Sequence, residues 1–159
     1  MLDFTDIGMP STYKMPFDQV ERAAISLVTH LSHAPIDIIV LEVADGLYQA
    51  ETSQLLASSR FTSLINGFVF AAGDAMGAVA GTGWLLDKGL PMVGISGLLT
   101  QSPLAIREVR EGIKLQFAKR GFHEASVLPV CDIRTLRDPL HAQALVKPYL
   151  IETQTRQAS

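Results

Sequence analysis

Residues 64–86, LINGFVFAAGDAMGAVAGTGWLL, decide the fold. The stretch holds a single charge, Asp74, and its glycines at 73, 77 and 81 have the spacing of a small-residue interface between membrane helices. Taken as a span, it would hold Asp74 near the bilayer centre at a cost of about 2.5–3.5 kcal/mol. Taken as a βα unit, it divides at its own punctuation. Residues 67–72 make a short buried strand, Gly73 turns the chain, and Asp74 opens a helix that Lys88-Gly89 closes. The βα reading is the expectation, and a membrane-associated protein built on residues 64–86 is a competing one.

The same punctuation recurs on both sides. Residues 16–33, PFDQVERAAISLVTHLSH, place Phe17, Val20, Ala24, Leu27, Val28 and Leu31 at helical spacing, and Pro35 stops that helix. Ile36-Asp37-Ile38-Ile39-Val40-Leu41 follows, a β-branched run of the kind found in strands covered on both faces. A helix is expected over residues 50–57, and Leu90-Pro91 leads into a third apolar strand over 91–96. Pro103 starts a helix that ends at Arg120-Gly121, and residues 126–130 are a fourth strand weakened by Pro129. Asp138-Pro139 starts a last short helix reaching Val146. The expected fold is α/β, a Rossmann-like parallel sheet of four strands near 36–42, 67–72, 91–96 and 126–130, with helices on both faces. Residues 1–150 read as a single α/β domain and 151–159 as a polar tail.

Composition narrows the functions. The chain has 159 residues, 48% hydrophobic and 18% charged, which excludes disorder. Thirteen Lys and Arg against sixteen Asp and Glu give a net charge of −3 with no basic block, so no nucleic acid partner is expected. A single cysteine excludes a disulfide framework and a Cys-based zinc site, and fits a cytoplasmic protein. The opening MLDFTD carries two acids and no basic region, unlike a signal peptide.

In parallel α/β sheets the working groups lie beyond the carboxyl ends of the strands. That rule selects residues 42–46, Gly73-Asp74, residues 96–102 and Cys131-Asp132. Glu42 and Asp45, three apart and followed by Gly46, suit a shared hydrated cation such as Mg2+, with Glu42 partly desolvated by its apolar strand. The opposing reading makes Asp45-Gly46 a plain turn and pairs Glu42 with a basic neighbour. Ser102 and Pro103 form a helix cap, leaving Thr100 and Gln101 as the exposed polar side chains of that turn. Ser11, Thr12, Tyr13 and Lys14 offer hydroxyls and an ammonium to an acidic ligand, or form an ordinary solvated loop. His30 and His33 read as helix-end residues, and Cys131 has no evident base partner.

DIIVLEVADGL, followed by an apolar strand, Gly-Asp, a small-residue helix and WLLDKGLPMVGISGLL, resembles the later half of dethiobiotin-synthetase-like P-loop NTPases over residues 36–100. The resemblance implies a partial P-loop NTPase-like domain in which Glu42 matches a magnesium-holding glutamate and Asp45-Gly46 the end of a Gly-rich turn. It implies nucleotide- and Mg2+-linked chemistry on a small-molecule ligand. The chain departs from the family at Val43, where a glycine is expected, and contains no G-x-x-x-x-G-K-[ST]. ATP and Mg2+ are therefore expected only with a separate amino-terminal Walker A half, and the isolated chain is not expected to be catalytic. Cofactor contacts are assigned to Glu42, Asp45, Gly46 and Thr100, and metal contacts to Glu42 and Asp45. Expected partners are that P-loop half or further copies of the chain, with no membrane. The alternative function is a non-catalytic oligomerisation or protein-interaction module acting through residues 74–88.

Overall fold

The computed structural model describes residues 1–121 and 128–157. The chain divides into two compact units, Met1–Ile65 and Asn66–Ser159.

The first unit is helical. A 3-10 turn, Phe4–Ile7, precedes α1 (Phe17–Ser32), α2 (Ala50–Ala57) and the single-turn α3 (Ser59–Thr62). The apolar spacing of α1 buries Val20, Ala23, Ala24 and Val28, which meet Leu55, Leu56 and Phe61 in the core of this unit. Each short helix starts on a side-chain cap. Gln49 accepts from the Thr52 amide at 2.8 Å, and Ser58 accepts from the Phe61 amide at 3.2 Å. Glu51 accepts from the Lys14 amide and from the Gln49 side chain, tying the loop before α1 to the start of α2.

The expected first strand does not form. Residues 36–41 are irregular, with Val40 88% exposed and Ile36 and Ile38 nearly half exposed. A β-branched run supplies propensity, but a strand also needs a ladder partner, and none of the described residues pairs with it.

The second unit holds the sheet. Its order is β1 (Phe68–Ala71), α4 (Ala75–Asp87), β2 (Met92–Ser96), a 3-10 turn at Leu98–Gln101, α5 (Pro103–Lys119), a 3-10 turn at Thr135–Arg137 and α6 (Pro139–Gln157). β1 and β2 run parallel, with Phe70 opposite Ile95 and Ala71 opposite Ser96. The expected four-stranded sheet with helices on both faces is thus corrected to two strands. Of the expected fourth strand, residues 126 and 127 lie outside the described residues, and the remainder makes one parallel bridge, Val130 to Ile95. The Ile95 amide donates to Pro129 O at 2.9 Å and the Cys131 amide donates to Ile95 O at 2.8 Å. Pro129 has no N–H to extend that ladder, so the pairing stays short.

The stretch 64–86 breaks where its own residues punctuate it. Asp74 caps α4 by accepting from the Gly77 amide at 2.7 Å, and Gly89, at φ +69°, turns the chain out of it. No helix of the described residues is long and apolar enough to cross a membrane. Gly83 of α4 and Gly112 of α5 serve packing between the two helices. A Cβ on Gly112 of α5 would lie 2.4 Å from Val79 Cγ2, and one on Gly83 would lie 3.0 Å from the Gln116 side chain. α5 packs on the Val79 and Gly83 side of α4, while Met76, Gly77 and Ala80 stay exposed. Arg120 locks the pair, donating to Gly83 O at 2.9 Å, to Gln116 O at 2.8 Å and to Asp87 Oδ1 at 2.6 Å.

One buried group in α4 has no partner. Thr82 is fully buried, and its Oγ1 makes no hydrogen bond among the described residues. An unmet buried hydroxyl costs about 1–3 kcal/mol, and valine fills nearly the same volume without it. Thr82→Val is therefore expected to stabilise the second unit by about 1 kcal/mol. A urea titration followed by Trp84 fluorescence should show a higher midpoint at unchanged slope.

Candidate strand-tip site

Side-chain hydroxyls join the carboxyl end of β2 to the segment that follows the bridge at Val130, while backbone bonds through Ala72 tie in the end of β1. Ser96 Oγ donates to Cys131 O at 2.9 Å. Thr100 Oγ1 donates to Gly97 O at 2.7 Å and accepts from the Ile133 amide at 3.2 Å. Thr100 is 3% exposed. Its expected place as an exposed polar side chain is therefore corrected. The 3-10 turn that begins at Leu98 folds the side chain inward, where one hydroxyl serves two backbone groups. Gln101 is exposed, as is Ser102, whose hydroxyl caps α5 by accepting from the Ala105 amide at 3.3 Å.

Thr100→Val keeps the shape and removes both bonds. The cost is expected at about 1–2 kcal/mol, with Thr100→Ser recovering most of it. Chemical denaturation of the three proteins checks the order.

Beyond these hydroxyls lie Cys131, partly buried, and Asp132. Burial pushes the Cys131 thiol up, away from the thiolate a nucleophile or metal ligand requires. Asp132 accepts from the Arg134 amide at 2.7 Å and pairs with the Arg134 guanidinium at 3.0 Å. The Arg134 side chain and amide hold the Asp132 carboxyl below its usual range. Asp138 is lowered likewise, chiefly by the Leu140 amide and then by His141. Any stability these carboxylates lend is in place above the ordinary carboxylate pKa and is lost as pH falls through their lowered values. The strand-tip rule selects Asp132 but not its Arg134 partner, and it does not reach Asp138 and His141; the Asp-x-Arg and Asp-x-x-His spacings are the sequence signals for the two pairs.

The acidic candidates belong to the first unit and Thr100 to the second. Glu42, Asp45 and Gly46 share one irregular segment ahead of α2, all exposed. The partial desolvation expected of Glu42 is corrected, because no strand encloses it. Asp45 sits at φ +69°, in the left-handed region that short polar side chains tolerate. Thr52 Oγ1 donates to Ala44 O at 3.2 Å, and the Gln49 amide donates to Gly46 O at 2.9 Å. The chain thus bends at Asp45, and a turn from Gly46 to Gln49 delivers it into α2. Glu42 has no cationic partner among the described residues, against the expected basic neighbour. No group of three or more His, Cys, Asp and Glu that could hold a metal ion occurs among the described residues.

A recess of about 280 Å³ in the first unit is lined by Leu2, Asp6, Ile7, Ser26, Leu27 and His30. None of the assigned cofactor residues lines it. His33 Nδ1 lies 2.7 Å from Thr29 O, a helix-end bond rather than a ligand arrangement. Tyr13 is exposed, with the Lys14 ammonium over its ring at 5.1 Å, so the two satisfy each other on the loop surface. No family model matches the sequence, and neither the curated proteins nor the solved structures provide a match.

Proposed function

We propose that this chain works by association, presenting residues 36–41 as an unpaired strand that a second polypeptide segment completes. The observation that carries the reading is the exposure of Ile36, Ile38 and Val40, at 46%, 44% and 88%. Fully burying an exposed Val or Ile side chain is worth about 1.5–3 kcal/mol, so covering Val40 would contribute most and the half-exposed Ile36 and Ile38 a fraction each. The run has the composition of a strand covered on both faces and is only partly covered.

A nucleotide-linked role fits within this reading. Glu42 and Asp45 are exposed carboxylates with no ion-pair partner among the described residues, beside the glycine turn that resembles the dethiobiotin-synthetase-like segment. In an assembly whose other part brings a Walker A loop, Glu42, Asp45 and Gly46 would face Mg2+ and the phosphates of ATP. Thr100 would stay structural, its hydroxyl already engaged on both sides. The chain alone would turn over no nucleotide, since tight triphosphate binding needs a loop of amides with a lysine. A reducing cytoplasmic setting accords with the single cysteine.

Ile38→Ser with Val40→Ser tests the reading. The pair is expected to leave the thermal midpoint within about 2 °C of the parent, because Val40 is 88% and Ile38 44% exposed and neither is a core residue. Binding of an environment-sensitive apolar dye should fall several-fold. A large loss of thermal stability would show the run to be core and end the proposal.

A further inference from the structure

We infer that the segment completing residues 36–41 is a basic strand of a different polypeptide, not a second copy of this chain. The inference rests on the association reading above and adds the chemistry of the partner.

The exposed run is apolar and acidic at once. Asp37, Glu42 and Asp45 stand among Ile36, Ile38, Val40 and Val43, and all seven are exposed. No Lys, Arg or His occurs anywhere in residues 34–59. The ion pairs of the described residues engage other acids and leave these three without a cation. In an extended strand, Ile36, Ile38, Val40 and Glu42 would point to one face and Asp37, Ile39, Leu41 and Val43 to the other. Each face thus carries apolar side chains with one carboxylate, the two at opposite ends of the run.

A second copy is a poor occupant. Paired parallel to itself, the run sets Asp37 beside Asp37 and Glu42 beside Glu42. Paired antiparallel about its centre, it sets Asp37 of each copy opposite Val40 and diagonal to Glu42 of the other. Like charges in cross-strand contact are destabilising, and opposite charges contribute about 0.2–1 kcal/mol per pair. A strand carrying Lys or Arg among β-branched residues meets both requirements of the surface, covering its apolar side chains and pairing its carboxylates. The net charge of −3 adds a long-range preference of the same sign.

The test uses the whole chain and short labelled peptides read by fluorescence anisotropy. One peptide alternates valine with lysine, a second valine with glutamate, and a third serine with lysine. The valine–lysine peptide is expected to bind about ten-fold more tightly than the valine–glutamate peptide at low salt, with the difference shrinking toward 0.3 M salt. Asp37→Asn with Glu42→Gln and Asp45→Asn, all at exposed positions, should erase the preference while leaving the circular dichroism unchanged. Equal binding of the two valine peptides would overturn the charge inference and leave association standing. Equal binding of the serine–lysine peptide would also overturn it, showing attraction to an acidic surface without strand completion. Failure of every peptide to bind, in the parent and in Ile38→Ser with Val40→Ser alike, would overturn the association reading and this inference with it.

Discussion

Gly97→Ala is expected to unfold the second unit's sheet, at a cost of at least about 3 kcal/mol. Gly97 follows β2 directly and holds φ +104°, a conformation that side-chain-bearing residues rarely adopt. A Cβ there would lie 2.4 Å from Ala72 O and 2.6 Å from Ala72 N. Both atoms belong to backbone, and both are already bonded. The Ala72 amide donates to Ser96 O at 3.0 Å, and Ala72 O accepts from the Leu99 amide at 3.2 Å. No rotamer change can relieve the clash. Either the end of β1 parts from β2, or the 3-10 turn opens and takes the Thr100 hydroxyl bonds with it. The nearby Gly73→Ala is the control, since a Cβ at that position meets nothing within 4 Å. It should change stability by less than about 0.5 kcal/mol. Trp84, in α4 of the same unit, reports both transitions in urea, and equal midpoints for the two variants would refute the argument.

The contrast between Gly97 and residues 36–41 shows which parts of this fold the sequence makes legible. Helix ends are written locally. Asp74, Ser102 with Pro103, and Gly89 mark their termini because a cap is satisfied within a few residues of itself. β1 and β2 are legible for the same reason, bounded by Gly67, Gly73, Pro91 and Gly97. Sheet membership is different, because it depends on a partner far along the chain or on another chain. The β-branched run at 36–41 has more strand propensity than β1, yet it lies unpaired. The candidate site follows the same division. A change of chain direction at Asp45-Gly46 is legible from the residue pair, while the turn itself runs from Gly46 to Gln49. The inward fold of Thr100 was not, since its partner Ile133 stands 33 residues away.

Glu21→Leu is expected to destabilise the first unit by about 2–4 kcal/mol, although it replaces a charged residue by an apolar one at a buried position. The sequence held the signal for this residue. Phe17, Val20, Ala24, Val28 and Leu31 define the inward stripe of α1, and position 21 falls on that stripe. Glu21 is 7% exposed. Its Oε1 accepts from Ser58 Oγ, and its Oε2 meets Arg60 Nη1 at 2.8 Å. The carboxylate therefore joins the middle of α1 to the capping residue and first turn of α3. Ser58 also caps α3, so its hydroxyl works in two bonds at once. Leucine would remove the acceptor and leave that hydroxyl with one bond in a half-buried place. It would also free Arg60, whose side chain is already 68% exposed and is hydrated readily. The loss should therefore come mainly from the Ser58 side. Glu21→Gln separates charge from hydrogen bonding, because its amide oxygen can accept from Arg60 while its N–H donates to Ser58 Oγ, a hydroxyl that accepts as well as donates. It should therefore cost less than Glu21→Leu, at about 1 kcal/mol. Ser58→Ala in the Glu21→Leu background should then cost less than in the parent, because the shared bond is already gone and only the α3 cap remains to be lost. Additive losses in that double-mutant cycle, measured by chemical denaturation, would show that Glu21 and Ser58 act independently and would refute this account of how α1 holds α3.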